Sequence, residues 1–130
     1  MPYVAPEEAL NEAVADIEAL SSPDAVRVPI IGTPAYRVVL WRLPSGQEAH
    51  PLHRHPHSDE VIVVLSGSGE FRVGDNGPFT VRPPSVVFAP QGTPHHMRAV
   101  GDAPLVWLSF VAPNQPGSDQ EDVSEDPVRT

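Results

Sequence analysis

The chain has no cysteine and no lysine. The first absence excludes disulfides, thiolate metal sites and thiol nucleophiles. The second leaves every basic residue an arginine and excludes Schiff-base chemistry or a lysine general base. Cationic residues are few altogether, 8 against 17 acidic ones, for a formal net charge of −9. Such a balance offers no basic footprint to nucleic acid or to an anionic membrane surface. Long hydrophobic runs are missing too: nothing approaches the ~18 apolar residues of a membrane span, and the N-terminus has no basic segment leading into an apolar one. The expectation is a soluble, cytoplasmic protein. Tyrosine occurs only at Tyr3 and Tyr36.

Proline, in contrast, is abundant, with 17 spread through 130 residues. That argues against long helices and for strands and turns. The length suits one domain, able to bury roughly two thirds of its unfolded surface. Residues 1–24 read as an N-terminal helical segment. Its helix is predicted over 6–20, where Leu10, Val14, Ile17 and Leu20 follow i, i+3/i+4 spacing. Pro6 suits the first turn, acidic Glu7, Glu8 and Glu12 favour the positive end of the dipole, and Ser21-Ser22-Pro23 stops it.

Residues 25–112 alternate short β-rich runs with turn signals, the pattern of a sandwich or barrel. Strands are predicted at 25–31, 35–43, 60–65, 70–73, 79–82, 86–89, 95–100 and 105–111. The run Glu60–Leu65 is almost wholly apolar after its first residue, as for a strand buried on both faces. Gly74-Asp75-Asn76-Gly77 is a hairpin signal. Residues 113–130 are acidic and poor in large apolar groups, and are predicted to be a disordered tail.

The six histidines fall in two clusters: His50, His53, His55 and His57, then His95 and His96. Strand residues two apart share a face, so His53 and His55 point the same way if the segment is extended. Glu60 heads the next apolar run, on the face of Ile62 and Val64, where a carboxylate is costly unless paired or metal-bound. His95 follows a turn built on Pro90 and Gly92 that can return it beside the first cluster. Three imidazoles and a carboxylate suit one divalent transition metal per chain: Fe, Mn, Ni, Co or Zn. His50 is an odd number of residues from His53 and should face away. His57 follows Pro56 and is read as a rim residue or simply exposed, and His96 should face opposite to His95.

At these residues the sequence resembles the cupins. Their first motif is glycine, five residues, His-x-His, three or four residues, Glu, six residues, glycine. His53-Arg54-His55, Glu60 and Gly67 fit it, with Gly46 one position out. The second motif centres on Pro-x-Gly, two residues, His, which Pro90, Gly92 and His95 match. Pro84 stands for its leading glycine and Ala99 for its closing asparagine. The resemblance implies an all-β double-stranded β-helix, a jelly-roll barrel with the metal inside near one mouth, and a homodimer, to which the sequence pattern adds one N-terminal helix. It does not fix a reaction.

The functional expectation is a metal-dependent enzyme acting on a small organic molecule, with oxygenase-type chemistry first and isomerase or cyclase chemistry next. Glu60 is the candidate proton acceptor. The alternative is a non-catalytic small-molecule-binding module, a sensor or store. Some cupin lyases use tyrosines near the first motif, where this chain has Val61 and Ile62, which weighs against lyase chemistry. Val39, Trp41, Leu43, Phe71, Val73, Phe88, Met97, Trp107 and Phe110 are candidates to line the barrel. Arg42 and Arg72 are candidates to meet an anionic substrate.

Overall fold

A computed structural model describes residues 7–20 and 22–123. One helix, α1 (Glu7–Glu18), precedes ten strands: β1 (Val26–Gly32), β2 (Arg37–Leu43), β3 (His53–Arg54), β4 (Asp59–Ser66), β5 (Ser68–Val73), β6 (Asn76–Val81), β7 (Ser85–Ala89), β8 (His95–Val100), β9 (Leu105–Ala112) and β10 (Glu121–Asp122). They form two five-stranded sheets, ordered β1-β2-β9-β4-β7 and β10-β3-β8-β5-β6. Every pairing is antiparallel. The architecture is the all-β double-stranded β-helix expected from the sequence.

The sheets face each other across one core built on Leu43, Ile62, Val64, Phe71, Leu105 and Trp107. Period-2 alternation carries this directly. In β4, Glu60, Ile62 and Val64 point inward and are buried, while Val61 and Val63 point outward and are half-buried. The expectation of burial on both faces therefore fails for this strand. It holds better in β2, whose outward Leu40 lies in a second apolar cluster with Ile17 of α1 and Val106. The helix covers part of the outer face, and Leu20 at its end is exposed.

Two turns set the connections. The β5–β6 hairpin turns on Gly74-Asp75, with Val73 opposite Asn76; Gly74 has φ +59, which glycine reaches at no steric cost. At Gly67 the chain leaves one sheet for the other. Its φ is +80, and a Cβ there would collide with the Pro104 carbonyl.

The predicted disordered tail is built differently as far as Val123. A short 3-10 turn spans Pro116–Asp119, and β10 then pairs with β3, Glu121 opposite Arg54 and Asp122 opposite His53. Arg54 and Glu121 form an ion pair. Val123 donates its N–H to the Leu52 carbonyl at 2.9 Å and buries its side chain. Composition misses this because the segment needs no core of its own: it completes the edge of an existing sheet and places one apolar side chain. The remainder of that prediction, residues 124–130, lies outside the described residues.

Candidate metal centre

The site forms where the first histidine strand meets the turn before the second cluster. The two turns are tied to each other. Gly92 donates its N–H to the His55 carbonyl at 2.9 Å, Gln91 its N–H to Asp59 Oδ1 at 2.8 Å, and the Gln91 side chain donates to the Pro56 carbonyl at 3.0 Å. Those bonds bring β3 beside β8, with His53 directly opposite His95. Glu60 arrives from the other sheet, at the head of β4.

His53, His55, Glu60 and His95 are all buried, and one ligand atom from each lies within 4.8 Å of every other. Glu60 is the hub. Its Oε1 is 3.1 Å from His55 Nε2 and 2.9 Å from His95 Nε2. Its Oε2 accepts from the Ser109 hydroxyl at 2.9 Å, and that hydroxyl accepts from Trp107 Nε1 at 3.1 Å. Burial alone would push the Glu60 carboxyl upward; contacts with His55 and His95 outweigh that and hold it well below the usual carboxylate range.

The opposite ring nitrogens explain the direction of the imidazoles. His53 Nδ1 is 2.8 Å from the Pro51 carbonyl, His55 Nδ1 is 3.2 Å from the Asp119 carbonyl, and His95 Nδ1 is 3.1 Å from the Thr93 carbonyl. A carbonyl can only accept, so each Nδ1 carries hydrogen, and a neutral ring then presents a lone pair at Nε2. Neutral His55 and His95 would thus turn two lone pairs on one carboxylate oxygen at about hydrogen-bond distance. That arrangement is repulsive unless a proton or a cation lies at the centre. The third ring, His53, is held neutral: burial, then neighbouring His95, lowers its pKa to about 3. The donor set, three imidazoles and one carboxylate, is one that could hold a divalent metal ion.

The remaining histidines divide. His96 faces out, as expected, with Nε2 3.3 Å from Glu48. His57 is exposed and pairs with Asp119. The expectation for His50 fails. Residues 49–52 are a bend rather than a strand, so counting by twos has no meaning there. His50 instead turns into the cavity, edge-on to Trp41 and to His53. Burial lowers its pKa.

That cavity has a volume of about 300 Å³ and opens onto His50, His53, His55 and Glu60. Its apolar walls include Val39, Trp41, Met97, Trp107 and Val111. Trp41 and Trp107 are cross-strand partners with stacked rings 5.7 Å apart. Phe88 and Phe110, candidates for the lining, point outward instead and are 52% and 38% exposed. Arg42 is buried away from the cavity, donating to the Ser22 carbonyl at 3.2 Å, and Arg72 borders a separate shallow groove. The arginines that line the cavity are Arg27 and Arg37. Strand parity could have found Arg37, which shares a face with Val39 and Trp41; Arg27 needed the β1–β2 register.

The family described as Cupin domain matches residues 39–111. An uncharacterized protein of Methanocaldococcus jannaschii is 33% identical over 70 residues, covering 54% of this chain and 55% of that protein. The dimethylsulfoniopropionate lyase DddQ of Ruegeria pomeroyi is 35% identical over 66 residues, 51% of this chain and 31% of that protein. The chain thus spans about half or less of the length of these curated relatives. Among solved structures, an uncharacterized conserved protein with a double-stranded β-helix domain from Klebsiella pneumoniae superposes with a TM-score of 0.70 at 26% identity, covering 83% of this chain and 91% of that one. No described helix is long and apolar enough to cross a membrane.

Proposed function

The chain belongs to the cupins, and on that premise we propose that it is a metal-dependent enzyme acting on a small organic molecule inside the barrel. His53, His55, Glu60 and His95 hold one divalent ion: Fe, Mn, Ni, Co or Zn. The observation that carries this is the set of Nδ1–carbonyl contacts, which turns Nε2 of His55 and His95 onto Glu60 Oε1, with a ring nitrogen of His53 within 4.8 Å of the other ligand atoms. When bound, such an ion supplies Lewis acidity, and a redox-active one suits oxygenase-type chemistry. Isomerase or cyclase chemistry is the next reading. The protein's own part is to orient the substrate on the Trp41–Trp107 wall, exclude water, and move protons. Glu60 is the candidate proton acceptor, a weak one because contacts with His55 and His95 favour its anion; among the described residues, His50 is the one cavity-lining imidazole outside the proposed ligand set.

The lyase chemistry named for the Ruegeria relative would fall here to His50, since no tyrosine is among the described residues that line the cavity. The second reading is a non-catalytic binding module, favoured by the same scarcity of proton-transfer groups. The protein is also proposed to be a homodimer. On the outer sheet face Phe88 and Phe110 both stand opposite Val61, and Val86 is 67% exposed. Phe88→Glu should halve the mass measured by light scattering; an unchanged mass, or a monomeric wild type, rules this face out.

Elemental analysis tests the metal reading. Protein purified without added metal should carry near one transition metal per chain, and a His53→Ala/His55→Ala variant little. A wild type that is empty and cannot be loaded sinks the proposal.

A further inference from the structure

The cavity wall beside Glu60 carries a buried hydroxyl. Period-2 alternation puts Trp107, Ser109 and Val111 on the inward face of β9, and Glu60, Ile62 and Val64 on the inward face of β4. The register sets Ser109 opposite Ile62 and Val111 opposite Glu60, so Ser109 is the diagonal neighbour of Glu60. Diagonal neighbours on one sheet face are roughly 7–8 Å apart at the backbone, within reach of a long side chain. Both residues are buried, and both line the cavity.

The direction of this hydroxyl is fixed from two sides. An indole N–H can only donate, so Trp107 Nε1, 3.1 Å from Ser109 Oγ, occupies a lone pair of that oxygen. A carboxylate can only accept, so the Ser109 hydrogen goes to Glu60 Oε2, 2.9 Å away. Trp107 is itself buried, and its ring stacks on Trp41. Ser109 thus ties one carboxylate oxygen to a packed wall. The other oxygen, Oε1, is the one that meets Nε2 of His55 and His95.

We propose that Ser109 is a positioning residue for the metal set: it keeps Glu60 a one-oxygen ligand, with Trp107 aiming the hydroxyl. This deepens the function proposed above and rests on it for the ion. The physical reason is a soft bond. The terminal torsion of a glutamate is broad and roughly two-fold, so it does not by itself decide whether one oxygen or both turn toward the imidazoles. A buried hydroxyl does decide, because turning Oε2 away would leave the hydroxyl hydrogen without an acceptor. A carboxylate confined to one oxygen takes a single position on an ion and leaves room for water or substrate, as catalytic sites require.

Infrared difference spectroscopy with Co(II) as the probe tests this. Subtracting the spectrum of Glu60→Gln protein identifies the Glu60 carboxylate bands. In Co(II)-loaded Ser109→Ala the gap between the asymmetric and symmetric stretches should narrow, the signature of a carboxylate bound through two oxygens. Its Co(II) affinity should fall about tenfold in chelator competition, as for loss of a ligand's supporting contact. Ser109→Thr, which keeps the hydroxyl on a residue suited to a strand, should restore both. Trp107→Phe keeps a ring, removes the N–H, and should move the bands part-way. Unchanged bands in Ser109→Ala, or a folded Ser109→Thr protein whose bands match Ser109→Ala, overturn the proposal; a merely structural serine would alter the melting temperature and leave the bands alone. Metal-free protein keeps the two ideas apart. There Ser109→Ala should shift the Glu60 asymmetric stretch, because Oε2 loses its donor. That shift in a protein that takes up no Co(II) leaves Ser109 as the residue that orients Glu60 and removes the metal reading. A protein that binds Co(II) and shows no shift does the reverse.

Discussion

Two of the inward-facing imidazoles are held differently from the third. His53 and His95 each rest Nδ1 on a carbonyl two residues earlier, at Pro51 and Thr93. His55 rests Nδ1 on the carbonyl of Asp119, 64 residues further on. Asp119 also accepts from the His57 backbone N–H at 2.6 Å and lies 3.0 Å from His57 Nδ1. The first pair are aimed by their own turns and by barrel strands that face each other. The third is aimed by a strap, residues 114–123, laid along the edge of β3. A site assembled this way has a rigid part and a part whose geometry depends on a peripheral segment staying docked.

The comparison breaks most severely when the rings themselves go. His95→Ala and His55→Ala should each lower metal affinity more than about 100-fold, beyond the tenfold to hundredfold typical of losing a ligand's supporting contact. Chelator competition measures it, and the two variants should look alike. A large difference between them would mean that His55 is not a ligand. The contrast appears one step out. A chain ended at Pro113 removes the Asp119 carbonyl while leaving the Pro51 and Thr93 carbonyls in place. It should keep the far-ultraviolet circular dichroism of the barrel and lose about 10- to 100-fold in metal affinity. Unchanged affinity in that folded, shortened chain would remove the strap from any role at the site.

The same division decides what could be read from the sequence. The clustering of His53, His55, Glu60 and His95 was legible because strand parity and one turn suffice to bring them together. The barrel was legible because turn residues punctuate apolar runs at regular spacing. The strap was not. Its residues are mostly polar, and their structure comes from pairing with β3, from the contacts of Asp119 with His55 and His57, and from the burial of Val123. Parity also misled wherever the chain was not extended, as at His50, and where an outer face stays partly open, as at Phe88, Phe110 and Val61. Arg27 and Arg37 show a further limit: the sequence marks them as arginines on strands, but which face looks into the cavity follows only from the registers of β1, β2 and β9.

Within the strap, Asp119 separates two contributions. Its φ is +50, a left-handed conformation that aspartate and asparagine tolerate better than most residues. Asp119→Asn should therefore keep the turn and an acceptor for His57, and shift metal affinity by less than about threefold, under the roughly 1 kcal/mol of a single hydrogen bond. Asp119→Ala loses both side-chain contacts and places a Cβ-bearing residue with no local hydrogen bond in the left-handed region, at about 1–2 kcal/mol; affinity should fall about tenfold. His57→Ala should do least. Its ring is mostly exposed, and the bond from its backbone N–H to Asp119 survives the substitution. Stability should stay within about 0.5 kcal/mol and metal affinity within about twofold, as for an exposed side chain away from special features. If His57→Ala instead matched Asp119→Ala in chelator competition, the clasp would act through the imidazole rather than through the backbone, and the strap would be a side-chain latch.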